Sequence, residues 1–171
     1  GIPPLPRALM QKMMSIGAGE PVADEFIPLL LDQIGFEPAP PRRERPGRVP
    51  PPPDFHVVVI GAGLSGICAG VKLEEAGYAF TIFEKNEDAG GTWWENVYPG
   101  VGVDTPSHFY SFSFAQSPDW NQYHPRGADM RAYFLGVVER FGLRPHIEFE
   151  TRVVRCEWHE PSRRWRVRVQ K

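Results

Sequence analysis

Three hydrophobic patterns follow one another along the chain. The first is helical. In "PLPRALMQKMMSIG" the residues Leu9, Met10, Met13 and Met14 recur at helical spacing before Gly17 and Gly19 break the run. In "PVADEFIPLLLDQIGF" the residues Phe26, Ile27, Leu30, Leu31 and Ile34 fit one helical face, with Pro21 and Asp24 near the start and Gly35 at the end. The second pattern alternates strand and helix. "FHVVVI" is a short β-branched run and predicts a buried strand; "GAGLSG" turns the chain; "LSGICAGVKLEEAG" predicts a helix ending at Gly77; "YAFTIFE" predicts a second strand ending at Glu84. Strand, tight turn, helix, strand is one right-handed crossover of a parallel sheet. A further helix follows in "RGADMRAYFLGVVERFGL", with Met130, Tyr133, Phe134, Val137, Val138 and Phe141 as its buried stripe. The third pattern has period two. In the tail, Val154, Cys156 and Trp158 alternate on one face, as do Trp165, Val167 and Val169. "HEPSRR" supplies the turn, so the whole tail from His146 predicts antiparallel strands.

The stretches between these patterns set the organisation. Glu37 to Asp54 is dominated by proline and arginine, the composition of a stiff tether, with a peptide-recognition ligand as the alternative. Asn86 to Gln122 is turn-rich and aromatic. The expected division is a helical extension over 1–36, a linker over 37–54 and an α/β nucleotide-binding unit over 55–171. The helical piece is too small to bury itself well and is expected to dock on something larger. A net charge of −2 offers no case for nucleic acid. No apolar run approaches the ~20 residues of a membrane span, and no secretory signal opens the chain. The two cysteines, Cys68 and Cys156, are too few for a disulfide framework and suit reduced thiols in a cytoplasmic protein. The five histidines show no metal-ligand spacing. The chain opens on Gly1 rather than Met, as a processed or cut chain does.

The glycine loop carries the first chemistry. A dinucleotide needs its pyrophosphate held by something positive that comes very close, and a helix N-terminus offers unpaired N–H groups and the positive end of its dipole. Gly61 permits the tight turn, Gly63 lets the backbone reach the phosphates, and Gly66 lets helix and strand pack closely. Glu84, at the end of the second strand, is placed to accept hydrogen bonds from ribose hydroxyls and to repel a 2′-phosphate, which favours FAD or NAD at this site. A loop of three glycines alone is weak evidence. Here it follows a strand, opens a helix and has the acid on the next strand. Lys85 reads as a solvated charge.

After Glu84 a simple nicotinamide dehydrogenase would continue into another helix and parallel strand. This chain instead runs "EKNEDAGGTWW". The pair Gly90-Gly91 resembles that of the large flavoproteins with two dinucleotide-binding domains, which shifts the cofactor from NAD to FAD. More narrowly, "GAGLSG", "FEKNEDAGGTWWENVYPG", "VDTPSHFYSFSF" and "PDWNQYHPR" resemble the flavin monooxygenases of the Baeyer–Villiger type, and among them the 4-hydroxyacetophenone monooxygenases, which also carry a helical N-terminal extension. The resemblance covers nearly the whole chain and is strongest from Phe55 to Gln122. It implies that Gly61, Gly63, Ser65 and Gly66 form the FAD pyrophosphate loop and that Glu84 takes the adenosine ribose. Gly91 then lies along the cofactor, Thr92 and Trp93 line its flavin side, Tyr110 stands beside it, and the backbone of Val153 meets the adenine. Asp104 is implied to lie beside the flavin and to position an active-site arginine; the reaction builds negative charge there, which an arginine stabilises and a carboxylate can hold in place. The competing reading of Asp104 is a turn cap before Pro106. Trp94, Phe109, Phe112, Phe114 and Trp120 read as packing. Many relatives carry an arginine where this chain has Gly102, so any contact made by that arginine is in doubt.

The resemblance implies more than 171 residues hold: a second glycine-loop domain for NADPH, a catalytic arginine and a C-terminal return to the FAD domain. The expectation is therefore the N-terminal part of an FAD-binding domain, α/β with a β-meander, from an enzyme using NADPH and O2 to turn a ketone into an ester. The chain alone is expected to be inactive, and the parent enzyme to form a homodimer. Two other readings stay open: a non-catalytic dinucleotide-binding module, and part of another flavoprotein class such as an N-hydroxylating monooxygenase.

Overall fold

The computed structural model describes residues 5–34 and 49–171, with the side chains of 32–34 excepted. The proline-rich tether predicted over 37–54 lies mostly outside the described residues. Contacts divide the chain into two units. One holds the described residues 5–34 with Ser111–Ser117; the other holds 49–110 and Pro118–Lys171.

The first unit is built on two helices, α1 (Arg7–Ala18) and α2 (Ile27–Ile34), joined through a single 3₁₀ turn at Asp24–Phe26. Its core is small: Met10, Ile27 and Leu31 are buried, with Leu5, Met14 and Val22 packed around them. The turn between the helices is held by polar side chains. Gln11 Nε2 donates to Val22 O at 2.8 Å and to Asp24 Oδ1 at 2.7 Å, and Ser15 Oγ accepts the Val22 N–H at 3.0 Å. The sequence pattern placed Leu9 and Met13 with Met10 and Met14 on one buried face. Leu9 and Met13 are instead exposed, as is Phe26, because so few residues bury only a narrow stripe.

The second unit begins with the predicted crossover. Strand β1 (His56–Ile60) leads into α3 (Leu64–Ala76) and back to β2 (Ala79–Phe83), which pairs in parallel with β1 from His56↔Ala79 to Ile60↔Phe83. α3 ends in a Schellman motif: Gly77 N–H donates to Glu74 O at 2.9 Å and Tyr78 N–H to Leu73 O at 3.0 Å. The short helix α4 (Thr92–Glu95) sits in the turn-rich stretch, followed by α5 (Gly127–Arg140), whose first turn is fixed by Asp129 Oδ2 accepting the Arg126 N–H at 3.1 Å.

The chain then departs from expectation. Ile147–Glu148 forms β3, which is parallel to β2 (Ile82↔Ile147), not the first antiparallel strand of the tail. The sheet order is β1-β2-β3. Only β4 (Arg152–His159) and β5 (Arg164–Gln170) form the antiparallel hairpin, so the meander has two strands. Its register shifts between Val153 and Arg155. Val153 therefore stands opposite Val169, and Val154, expected on the apolar face with Cys156, has no cross-strand partner.

The two faces of the parallel sheet differ. Phe80 and Ile82 are buried together with Ile67 and Val71 of α3, Met130, Phe134, Val137 and Val138 of α5, and Leu143 and Ile147. α3 comes so close that a Cβ on Gly70 would lie 3.0 Å from Ile82 Cδ1. Burying each such side chain stabilises by about 1.5–3 kcal/mol. On the opposite face Val58 is exposed and Ile60 is 61% exposed, and Val57 and Val59 are only half-buried, so β1 is not the buried strand its branched residues predict.

Candidate functional site

The glycine loop lies where β1 meets α3. Gly61 N–H donates to Phe83 O at 2.8 Å, closing the strand end, and Gly61 has φ +90, a value that favours glycine. The first hydrogen bond of α3 runs from Ile67 N–H to Gly63 O at 2.9 Å. The N–H groups of Leu64, Ser65 and Gly66 thus belong to the turn that a helix leaves unpaired. Gly66 is held by space: a Cβ there would overlap the carbonyl oxygen of Gly61. Ser65 is exposed in the first turn of the helix.

Glu84 stands beneath the loop and is only 2% exposed. Its Oε2 accepts the Ala62 N–H at 2.6 Å and its Oε1 the Asn86 N–H at 2.9 Å. Charge-assisted bonds to backbone donors offset the cost of burying a carboxylate. Its backbone is tied as well: Glu84 N–H donates to Glu148 O at 2.9 Å and Thr151 N–H to Glu84 O at 2.8 Å. Sequence reasoning gave this residue a ligand to bind. It missed that the carboxylate also staples the loop, a contact between residues far apart in sequence.

The Gly90-Gly91 pair lies directly on the loop. Gly90 N–H donates to Ala62 O at 3.0 Å, and a Cβ on Gly91, itself at φ +54, would lie 2.8 Å from Gly63 Cα. Backbone meets backbone here with no room for a side chain on Gly91, while a Cβ on Gly63 would lie 3.4 Å from Gly91 Cα. The cradle therefore has three layers: Glu84, the glycine loop and the glycine pair.

The segment from 85 to 95 is braced twice. Glu95 of α4 accepts from Lys85 Nζ at 2.6 Å and from Asn86 Nδ2 at 3.1 Å. The Lys85 bond first, and the Asn86 bond with it, hold the Glu95 carboxyl below its ordinary value of 4.5. Lys85, read from sequence as a solvated charge, is thus part of the brace. The second brace is Asp88, whose Oδ1 accepts from Ala89 N–H at 2.9 Å and from Arg144 Nη2 at 3.1 Å. Arg144 also donates through Nε to Glu139 at 2.6 Å; that bond, and the charge of Asp88, push its pKa further up.

The other sequence candidates lie around this cradle. Thr92 is exposed at the start of α4. Trp93 is buried, stands edge-on to Tyr110 with ring centroids 5.9 Å apart, and lies where a Cβ on Gly127 would come 3.5 Å from its ring. Trp94 carries the Arg131 guanidinium 3.7 Å over its ring. Asp104 is exposed, and Thr105 Oγ1 donates to its Oδ1 at 3.3 Å. Gly102 is bridged to Arg126, and a Cβ there would lie 3.0 Å from Pro125 O, so a side chain at 102 needs that backbone to give way. Val153 lies on β4, half-buried. No group of three metal-ligating side chains is found among the described residues, and no helix among them is long and apolar enough to cross a membrane.

Comparison with known proteins agrees with this geometry. The family described as NAD(P)-binding Rossmann-like domain matches residues 59–126. An FAD-binding monooxygenase of Aspergillus terreus is 43% identical over 123 residues, which are 70% of this chain and 22% of that protein. A Baeyer–Villiger monooxygenase of Streptomyces coelicolor is 43% identical over 112 residues, 65% of this chain and 22% of the relative. Among solved structures, oxidized steroid monooxygenase bound to NADP superposes with a TM-score of 0.63 at 36% identity, over 67% of this chain and 23% of that one. Cyclohexanone monooxygenase gives 0.63 at 39% identity, over 66% and 23%. The chain thus spans about a fifth of the length of these curated relatives. Its fold is a Rossmann-like dinucleotide-binding α/β segment, and in sequence and structure it is similar to FAD-binding monooxygenases, Baeyer–Villiger enzymes among them.

Proposed function

We propose that this chain is the FAD-binding portion of an NADPH- and O2-dependent monooxygenase that inserts one oxygen atom into a ketone to give an ester. The observation that carries the reading is the bared N-terminus of α3 over the Glu84 carboxylate. The site fits the group: the unpaired N–H donors of Leu64, Ser65 and Gly66 suit a pyrophosphate, and the glycines keep side chains out of its way. Glu84 has about four lone-pair sites, of which two are engaged by Ala62 and Asn86; a ribose hydroxyl can take another. When bound, FAD supplies the electron transfer from NADPH to oxygen that the reaction needs. Thr92, Trp93, Tyr110 and the backbone of Val153 complete the cofactor site in this reading. Asp104 orients an arginine from outside these residues, in keeping with its exposed carboxylate. The likeness to 4-hydroxyacetophenone monooxygenases favours aryl ketones, the two lone cysteines suit a cytoplasmic setting, and the apolar N-terminal helices suit a homodimeric parent. The chain alone binds cofactor but does not turn over, since it spans about a fifth of its relatives.

The test is direct. The purified chain is titrated with FAD and with NAD while flavin fluorescence and absorbance are followed. Saturable FAD binding with no comparable NAD binding supports the reading; NAD binding alone overturns it. Oxygen uptake with NADPH and an aryl ketone, in the longest protein that carries these residues, tests the reaction.

A further inference from the structure

The glycine pair can brace the phosphate loop only if its own turn is held. That turn starts at Asp88, and its polar anchor lies across the fold. Arg144 Nη2 reaches Asp88 Oδ1 at 3.1 Å, and the same oxygen takes the Ala89 N–H at 2.9 Å. Ala89 is fully buried, and the next residue donates its N–H to Ala62 O at 3.0 Å. Arg144 is in turn fixed from two sides. Its Nε donates to Glu139 Oε1 at 2.6 Å, and its guanidinium lies 5.3 Å over the Phe149 ring. It follows directly on the end of α5, where Gly142 N–H meets Glu139 O at 3.1 Å and Leu143 N–H meets Val138 O at 2.9 Å. The backbone carrying Arg144 is thus anchored before the side chain reaches out. A continuous line of bonds runs from the end of α5 through Asp88 and Gly90 to the glycine loop.

We infer that Arg144 is a positioning residue for the dinucleotide site: through Asp88 it holds the Gly90-Gly91 turn against the phosphate loop. The consequence for ligand affinity rests on the FAD reading above; the consequence for the loop does not. An isolated surface pair contributes little. This one acts on a turn whose next residues are buried and bonded to the glycine loop, so its loss is expected in the loop's order rather than in global stability.

The experiment compares the wild-type chain with R144Q, R144K, D88N and the R144Q/D88N double variant. Backbone amide exchange is read at Ala62, Gly63 and Gly90, thermal midpoints are recorded alongside, and FAD is titrated into each. Expected are faster exchange at those amides in R144Q and D88N, recovery in R144K, and a double variant no worse than either single one. FAD affinity should fall by about twofold to fivefold in R144Q. Exchange at Gly63 and Gly90 unchanged in R144Q overturns the inference, as does a double variant whose effects simply add. A merely structural role predicts a lowered thermal midpoint with loop exchange no more affected than the rest of the chain. Should R144Q fail to fold, R144K and D88N carry the same comparison. If the exchange pattern appears and the wild type takes up no FAD, the cofactor reading fails while the loop assignment stands.

Discussion

In the cradle around Gly63, Ala62 and Ala89 are fully buried, Glu84 is 2% exposed and two backbones touch without side chains between them. On the β4–β5 hairpin the opposite holds: Trp165 is 63% exposed, Trp158 is exposed, and every arginine of the ribbon faces solvent. Arg155 and Arg168 even stand directly opposite one another, an arrangement that costs energy in an isolated sheet. The hairpin is held by a cross-strand ladder broken by one bulge; the cradle is held by dense packing of loops. Hydrogen-bonded regularity and tertiary order are therefore separate properties of this chain. The candidate site lies where packing, not periodicity, fixes the backbone.

Substitutions can break or sharpen that contrast, and the largest effect is expected at Gly66. Its Cβ would overlap Gly61 O, a backbone atom that cannot step aside. Gly66→Ala should cost about 3 kcal/mol or more and abolish dinucleotide binding, read by thermal unfolding and FAD titration. Gly91→Ala comes next. A Cβ 2.8 Å from Gly63 Cα at a left-handed φ should cost about 1–3 kcal/mol and weaken FAD binding in proportion. Glu84→Gln leaves one of the two bound backbone N–H groups, Ala62 or Asn86, facing an amide donor; a loss of about 1–3 kcal/mol is expected in chemical denaturation, even without ligand. The contrast predicts little in the hairpin. Trp165→Ala breaks an edge-on pair with Trp158 at 5.6 Å, and at such exposure about 0.5–1 kcal/mol is the expected loss. A tryptophan that costs more than Gly91→Ala would refute the contrast.

The smallest effect is a pH dependence. Glu95 is held below its ordinary value of 4.5 by Lys85 and Asn86. A depressed carboxyl contributes stability that is present above 4.5 and lost as pH falls through the folded value. Unfolding of wild type and Glu95→Gln compared at neutral pH and below 4.5 should therefore converge at the acid end.

How much of this was legible in the sequence follows the same division. The crossover was readable because β1, α3 and β2 are contiguous and each signals itself through branched residues, period and closing glycine. α5 was readable by its stripe. β3 was not: two residues make a strand only because Ile82 waits for Ile147, and no local pattern encodes that. The bulge at Val154 shifted the hairpin's apolar face by one residue for a similar reason, since alternation read from one end runs on past an insertion. At the candidate site, the three loop glycines and Glu84 were singled out by spacing. The stapling bonds of Glu84, the seat of Gly91 on Gly63 and the reach of Arg144 to Asp88 were not, because each joins segments whose separation in sequence says nothing of their meeting. Lys85 is the exposed charge the sequence suggested, but its ion pair with Glu95 across the turn was not legible there.

The seat of Gly91 on Gly63 has a consequence for how this chain can change over time. Most packing contacts can be renegotiated, a larger residue on one side offset by a smaller one on the other. Here both sides are already glycine, and no smaller residue exists. A substitution at Gly91 therefore has no compensating partner across the contact. The two motifs are tied together in inheritance: recombination that joins one parent's 61–66 loop to another parent's 90–91 turn succeeds only when the turn brings glycine at 91.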